Sequence, residues 1–173
     1  MRVFVYRNLN RPNACWYSIK ALEGPYKGWV VGYAQELLLC DVRFRVSEAG
    51  RQRVLSQRRR NVHAGIVGNV VRVGSEYEKR YVYDDHLCNT TFDFDWKTFH
   101  KQYGVPVTYN PYRMGSFVER KTNNPVYEAN YASLIGSDVR CFNVEYVAEP
   151  SLLAPMFSLR LSVPVVQSFE VRS

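Results

Sequence analysis

Seven of the eighteen residues from position 43 to position 60 are arginine: Arg43, Arg45, Arg51, Arg53, Arg58, Arg59 and Arg60. A guanidinium offers parallel N–H donors in a rigid fork and keeps its charge throughout the physiological range. It therefore suits phosphate recognition rather than proton transfer. Ser47 followed by Glu48 reads as a helix start, with the serine as N-cap and the carboxylate near the positive end of the dipole. A helix over 47–60 places Arg51 and Arg58 two turns apart on one face, and Arg53 and Arg60 on another. Arg58, Arg59 and Arg60 then stand at the helix C-terminus, where cations complement the dipole, and Asn61 and His63 come next. A solvated basic face uses the same residues, so ligand site and dipole partner both stay open here.

A second group lies at Tyr109-Asn110-Pro111-Tyr112-Arg113 and on to Phe117. Aromatic faces, an amide and an arginine are gathered on a turn entering a strand. A base stacked on such a ring gains ~1–3 kcal/mol, and an Asn side chain can pair with an adenine edge. A tyrosine-rich turn packing on its own sheet is the plainer alternative.

Other chemistry finds less support. His63, His86 and His100 are isolated in sequence, and His86 with Cys88 offers two metal ligands where a structural zinc wants four. Asp84, Asp85, Asp93 and Asp95 could hold magnesium in a nuclease only if they converge from separate strands. No phosphate-binding glycine loop, Gly-x-Ser-x-Gly elbow or helical His-Glu-x-x-His is present. The expectation is a binding protein with no catalytic residues, no metal and no cofactor.

The elements that must position these groups are mostly strands. Apolar residues make up 46% and charged residues 23%, ordinary values for a chain that folds, and 13 Tyr with 9 Phe favour sheet. Alternation over 3–6, 15–22, 29–34 and 37–46 predicts four strands, with a hairpin turn at 23–28. In the fourth, Val42, Phe44 and Val46 face one way while Asp41, Arg43 and Arg45 face the other. After the helix, 62–73 reads as another strand. Gly50 weakens that helix by roughly 1 kcal/mol, so docking of Val54 and Leu55 must hold it. Residues 74–104 form an acidic, aromatic insertion with a short helix near 91–102, and 105–144 returns to strands and turns. The predicted class is α+β: mostly antiparallel sheet, one basic helix and a small acidic insertion. It would be one compact domain, with a first β unit over 1–73 and a second with its tail over 105–173.

A hairpin ending on Asp-Val-Arg occurs twice, at Asp41-Val42-Arg43 and Asp138-Val139-Arg140. Chance or a degenerate duplication explains it; a duplication would give two β units that each present an arginine. Net charge is +7, which favours anionic partners. The four cysteines form no CxxC pair and read as reduced thiols. No apolar run approaches the ~20 residues of a membrane span, and the charged, alternating start is unlike a signal peptide. A cytoplasmic protein with no membrane partner is expected.

Residues 42–68, from Val-Arg-Phe-Arg-Val-Ser-Glu-Ala-Gly to Val-His-Ala-Gly-Ile-Val-Gly, with Tyr109-Asn-Pro-Tyr-Arg downstream, resemble a phage protein type. The arrangement is similar to the first-described Thoeris anti-defence family over about half of the chain. The resemblance implies a small, β-rich sponge that binds cyclic ADP-ribose-type signals without cleaving them. It also implies assembly into homodimers or higher oligomers, and separate sites for cyclic oligonucleotides. It places the pocket arginines at Arg59 and Arg60 and at Arg43 or Arg140, with Phe117 or Tyr109 as the stacking ring. For a phage-encoded chain the compartment is the infected host's cytoplasm. The acidic insertion and the tail after Val144 depart from the compact pattern of that family. The expected function is sequestration of nucleotide immune messengers. The alternatives are a DNA- or RNA-binding accessory protein using the same arginines, or an anti-defence protein that docks on another protein.

Overall fold

The computed structural model describes residues 1–11, 16–59, 62–80, 95–109, 117–148 and 157–161, with the backbone alone for 144–148 and 157–161. The elements run β1 (Arg2–Arg7), β2 (Tyr17–Ala21), β3 (Val30–Ala34), β4 (Glu36–Val46), α1 (Glu48–Gln57), β5 (Ala64–Val73) and β6 (Tyr77–Lys79). Then come α2 (Trp96–Tyr103), β7 (Val105–Tyr109), β8 (Phe117–Glu119), β9 (Glu128–Ile135), β10 (Asp138–Phe142), β11 (Val144–Ala148) and β12 (Phe157–Leu161). Ten strands form one antiparallel sheet in the order β6-β3-β2-β1-β5-β4-β9-β10-β7-β8, and β11 and β12 pair with each other. Mostly antiparallel sheet with two short helices matches the α+β class.

The sheet is curled, and one hydrogen bond shows how far. Tyr17 of β2 donates its hydroxyl to the carbonyl of Gly136, in the β9–β10 turn, at 2.7 Å. Three strands, β1, β5 and β4, lie between β2 and β9 in the ladder. Flat, they would hold the two apart by roughly 19 Å at ~4.8 Å per strand. The curl folds the inward face onto itself and encloses Val3, Val5, Ile19, Leu37, Leu39, Ile66, Val70 and Leu134. Outward-facing Leu38, Val71 and Phe142 are capped by Trp96 of α2.

On β4 the inward set switches from Leu37 and Leu39 to Val42 and Phe44. Alternation alone forbids that. A register shift between Cys40 and Arg43, with Asp41 at φ 50, supplies the extra residue of a bulge. The predicted hairpin at 23–28 is present, with Gly24 and Gly28 at φ 78 and 88.

The first helix is shorter than 47–60. Ser47 caps it by accepting from the Gly50 amide, and it ends at Gln57 because Arg58 turns left-handed at φ 53. Its buried residue is Gly50, while Val54 and Leu55 are half-buried. The docking contact is thus the glycine rather than the two aliphatic side chains. A Cβ at Gly50 would lie 2.7 Å from the Cβ of His63, so the missing side chain permits the approach. The second helix begins at Trp96, where the Asp95 side chain accepts from the Lys97 amide (3.1 Å) and the Thr98 hydroxyl (2.7 Å). Residues 81–94 of the acidic insertion lie outside the described residues.

Candidate functional site

At one end of the curl a cavity of about 400 Å³ opens. Its wall is made where β1 and β2 meet β7, β8 and β10 across the fold. Val5, Tyr17, Ile66, Val107 and Val139 form the apolar floor, and that floor continues the core.

One side is an aromatic wall. Phe117 at the start of β8 lies 4.8 Å from Phe44 and 5.8 Å, edge-on, from Tyr109 at the end of β7. The Tyr109 hydroxyl makes hydrogen-bond contacts with the His63 ring, 3.0 Å from Nδ1 and also against Nε2. His63 is buried beneath α1 at Gly50, and its carbonyl accepts from the Ser47 amide at 2.7 Å. Tyr109 by contrast is 42% exposed, so its ring lines the opening.

The charged rim comes from Arg7, at the end of β1, and Arg120, just after β8; both line the cavity and both are exposed. Among the described residues neither guanidinium has an ion-pair partner. Asp138 also lines the cavity, but its carboxylate is already committed. Oδ2 accepts from His100 Nε2 at 2.8 Å and from Arg140 Nε at 2.9 Å.

That carboxylate, partly exposed itself, ends a relay whose other two members, Ser133 and His100, are buried. An ionised carboxylate only accepts, so His100 carries its proton on Nε2, and Nδ1 accepts from the Ser133 hydroxyl. Burial pushes the His100 pKa below its ordinary 6.5, outweighing Asp138, which pulls it up. Burial raises the Asp138 carboxyl, but hydrogen bonds from His100 and Arg140 outweigh that and hold it below 3.8. By residue type this is a nucleophile, base and acid, yet Ser133 is 0% exposed and meets no solvent. It fastens α2 to β9 and β10. The Cys141 thiol is likewise sealed: burial pushes its pKa up, away from the reactive thiolate.

Three of the residues singled out in the sequence therefore meet at one site: His63, Tyr109 and Phe117. Arg43 stands exposed on the outward face of β4; Arg58 and Arg59 are exposed beyond α1; none of the three lines the cavity. Arg140 is half-buried, tied to Asp138, with Nη1 3.4 Å from the Gly104 carbonyl. The two Asp-Val-Arg strands flank β9, and neither arginine enters the cavity. Arg60, Asn61, Asn110 and Arg113 lie outside the described residues. Sequence reasoning passed over Arg7 and Arg120. Arg7 carried a signal, since it continues the inward alternation of Val3 and Val5; Arg120, on a turn, carried none. No three His, Cys, Asp or Glu side chains among the described residues come together to hold a metal.

A family model described as the Mycobacterium phage L5 gene 82 protein matches residues 1–142. The chain belongs to that family. The gene 82 protein of Mycobacterium phage L5 is 35% identical over 143 residues, covering 81% of this chain and 94% of the relative. The gene 82 match ends at Phe142, the last residue of β10, so the family unit carries the ten-stranded sheet, both helices and the cavity. No solved structure matches the chain. No described helix is long and apolar enough to cross a membrane.

Proposed function

We propose that the chain is a non-catalytic binder of nucleotide-type ligands, a phage sponge that holds immune messengers such as cyclic ADP-ribose-type molecules or cyclic oligonucleotides. The observation that carries this is the cavity itself. Its ~400 Å³ falls within the roughly 300–1,000 Å³ of small-molecule sites. Its walls pair stacking surfaces, Tyr109 and Phe117, with two arginines that have no carboxylate partner among the described residues. That is the chemistry of a base and its phosphates. The phage family supports the setting, that of an infected bacterial cytoplasm. The burial of Ser133 and Cys141 supports binding without cleavage. A second copy of the chain completes the proposal, as the sponge reading implies an oligomer.

The test is to purify the protein, release bound small molecules by heat, and identify them by mass spectrometry, with calorimetry against cyclic nucleotides alongside. An intact nucleotide is expected. Tyr109→Ala should weaken its binding by about 1–3 kcal/mol, and Arg7→Ala with Arg120→Ala should weaken anionic ligands selectively. If no nucleotide co-purifies or binds, the reading fails. Recovery of a hydrolysed nucleotide would replace it with an enzymatic one.

A further inference from the structure

The strand that lends Val5 and Arg7 to the cavity shows a different surface on its other side. Val3 and Val5 point into the core, so Phe4 and Tyr6 stand outward. The register carries that side across the sheet: Tyr6 lies opposite Ser18, and Ser18 opposite Tyr33. Directly opposed residues share a face. Trp16, two positions before Ser18, falls on it as well. Phe4, Tyr6, Trp16 and Tyr33 are all half-buried, which leaves part of each ring open to solvent. Gly65 lets the Phe4 ring lie across β5, since a Cβ there would stand 2.4 Å from Phe4 Cε2. The Phe4 and Tyr6 centroids are 5.6 Å apart.

Cations stand among these rings. The Arg11 guanidinium lies 4.7 Å from the Trp16 ring and 4.6 Å from the Tyr33 ring. Arg45 lies 6.0 Å from Phe4, and Arg80 donates to the Tyr33 hydroxyl at 2.9 Å. Lys20 sits opposite Phe4, while Arg43 shares the outward side of β4 with Arg45. The opposing carboxylates are fewer: Glu78, paired with Arg11 at 2.7 Å, and Glu128, opposite Arg43. Arg2 and Asp41 add one charge of each sign at the rim. The outward helix α2 caps Leu38, Val71 and Phe142, away from the rings.

We propose that this outward face is a docking platform for single-stranded nucleic acid. Half-open rings on a sheet offer stacking to unpaired bases, which a duplex keeps to itself, and the interleaved arginines meet the phosphates between them. Charge complementarity selects this occupant over an apolar protein segment. The platform meets the cavity at Tyr6, which lines both, whereas Tyr33, Arg43 and Arg45 belong to the platform alone, so their variants test it independently of the nucleotide reading.

The test is fluorescence anisotropy with labelled oligo-dT and oligo-rU of about 16 nucleotides and a duplex of the same length, across a salt series. Single strands should bind more tightly than duplex. Replacing the exposed pair, Arg43→Ala with Arg45→Ala, should lower the slope of log affinity against log salt by ~1.4, or ~0.7 per lost phosphate contact. Tyr6→Leu and Tyr33→Leu keep apolar bulk and should each weaken binding ~5-fold or more with the slope unchanged. Thermal melts confirm that the variants fold, and the exposed arginine pair carries the test if a ring variant does not. Absence of single-strand binding at low salt overturns the proposal. Equal binding to duplex with silent ring variants overturns it as well.

Discussion

Gly50 is the buried residue of α1, and a methyl group there would meet the Cβ of His63 at 2.7 Å. In an open helix the replacement Gly→Ala gains roughly 1 kcal/mol. Here it forces apart two backbones, an overpacking that costs about 1–3 kcal/mol. Gly50→Ala should therefore be destabilising, by about 1 kcal/mol or more in urea denaturation, and it should disturb the Tyr109–His63 contact at the cavity. An increase in stability would show that α1 is free to lift from His63. This is also where sequence reading stops: the helix and its N-cap were legible locally, but the partner of Gly50 lies thirteen positions away across a turn. His63, Tyr109 and Phe117 were legible by residue type and do meet. The arginine run was legible as charge, not as position, because alternation on β4 and the stop at Arg58 send Arg43, Arg58 and Arg59 away from the cavity.

At the scale of elements, α2 depends on a buried histidine. Its His100 bridges Ser133 of β9 and Asp138 of β10, and Arg140 closes on the same carboxylate. The folded state holds the His100 pKa below 6.5, so the unfolded chain takes up the proton first. Stability from this group is complete above that value and falls as the pH drops below it, until the folded state too is protonated. Asp138 adds a second loss at lower pH: its contribution is present above 3.8 and vanishes as the pH falls through its depressed value. His100→Gln keeps hydrogen-bonding capacity but cannot titrate. It should lower stability at pH 8 and flatten the decline below pH 6.5, read from urea midpoints across pH. If the wild-type curve is flat there, protonation of His100 does not strain the docking of α2. Sequence showed His100 only as an isolated histidine, because its partners lie thirty-three and thirty-eight positions on.

For the whole molecule, the curl decides what becomes a site. Alternation placed the first five strands within about two residues, yet nothing local says that β1 and β7 should face each other. The Tyr17–Gly136 hydrogen bond and the shared core record that closure only in three dimensions. The same architecture sets the sheet apart from the C-terminal strand pair. Among the residues whose side chains are described, the ten-stranded ladder and both hydrophobic clusters fall within residues 1–142, the stretch that the phage L5 gene 82 family model matches, while β11 and β12 pair with each other. A chain ended at Asn143 should accordingly keep one cooperative unfolding transition, with a urea midpoint close to that of the full chain. Nucleotide affinity should also be unchanged, since all the cavity residues are retained. Urea denaturation and calorimetry on the shortened chain measure both quantities. Loss of the transition would mean that the segment after β10 completes the core. Loss of affinity with the transition intact would mean that it closes the cavity.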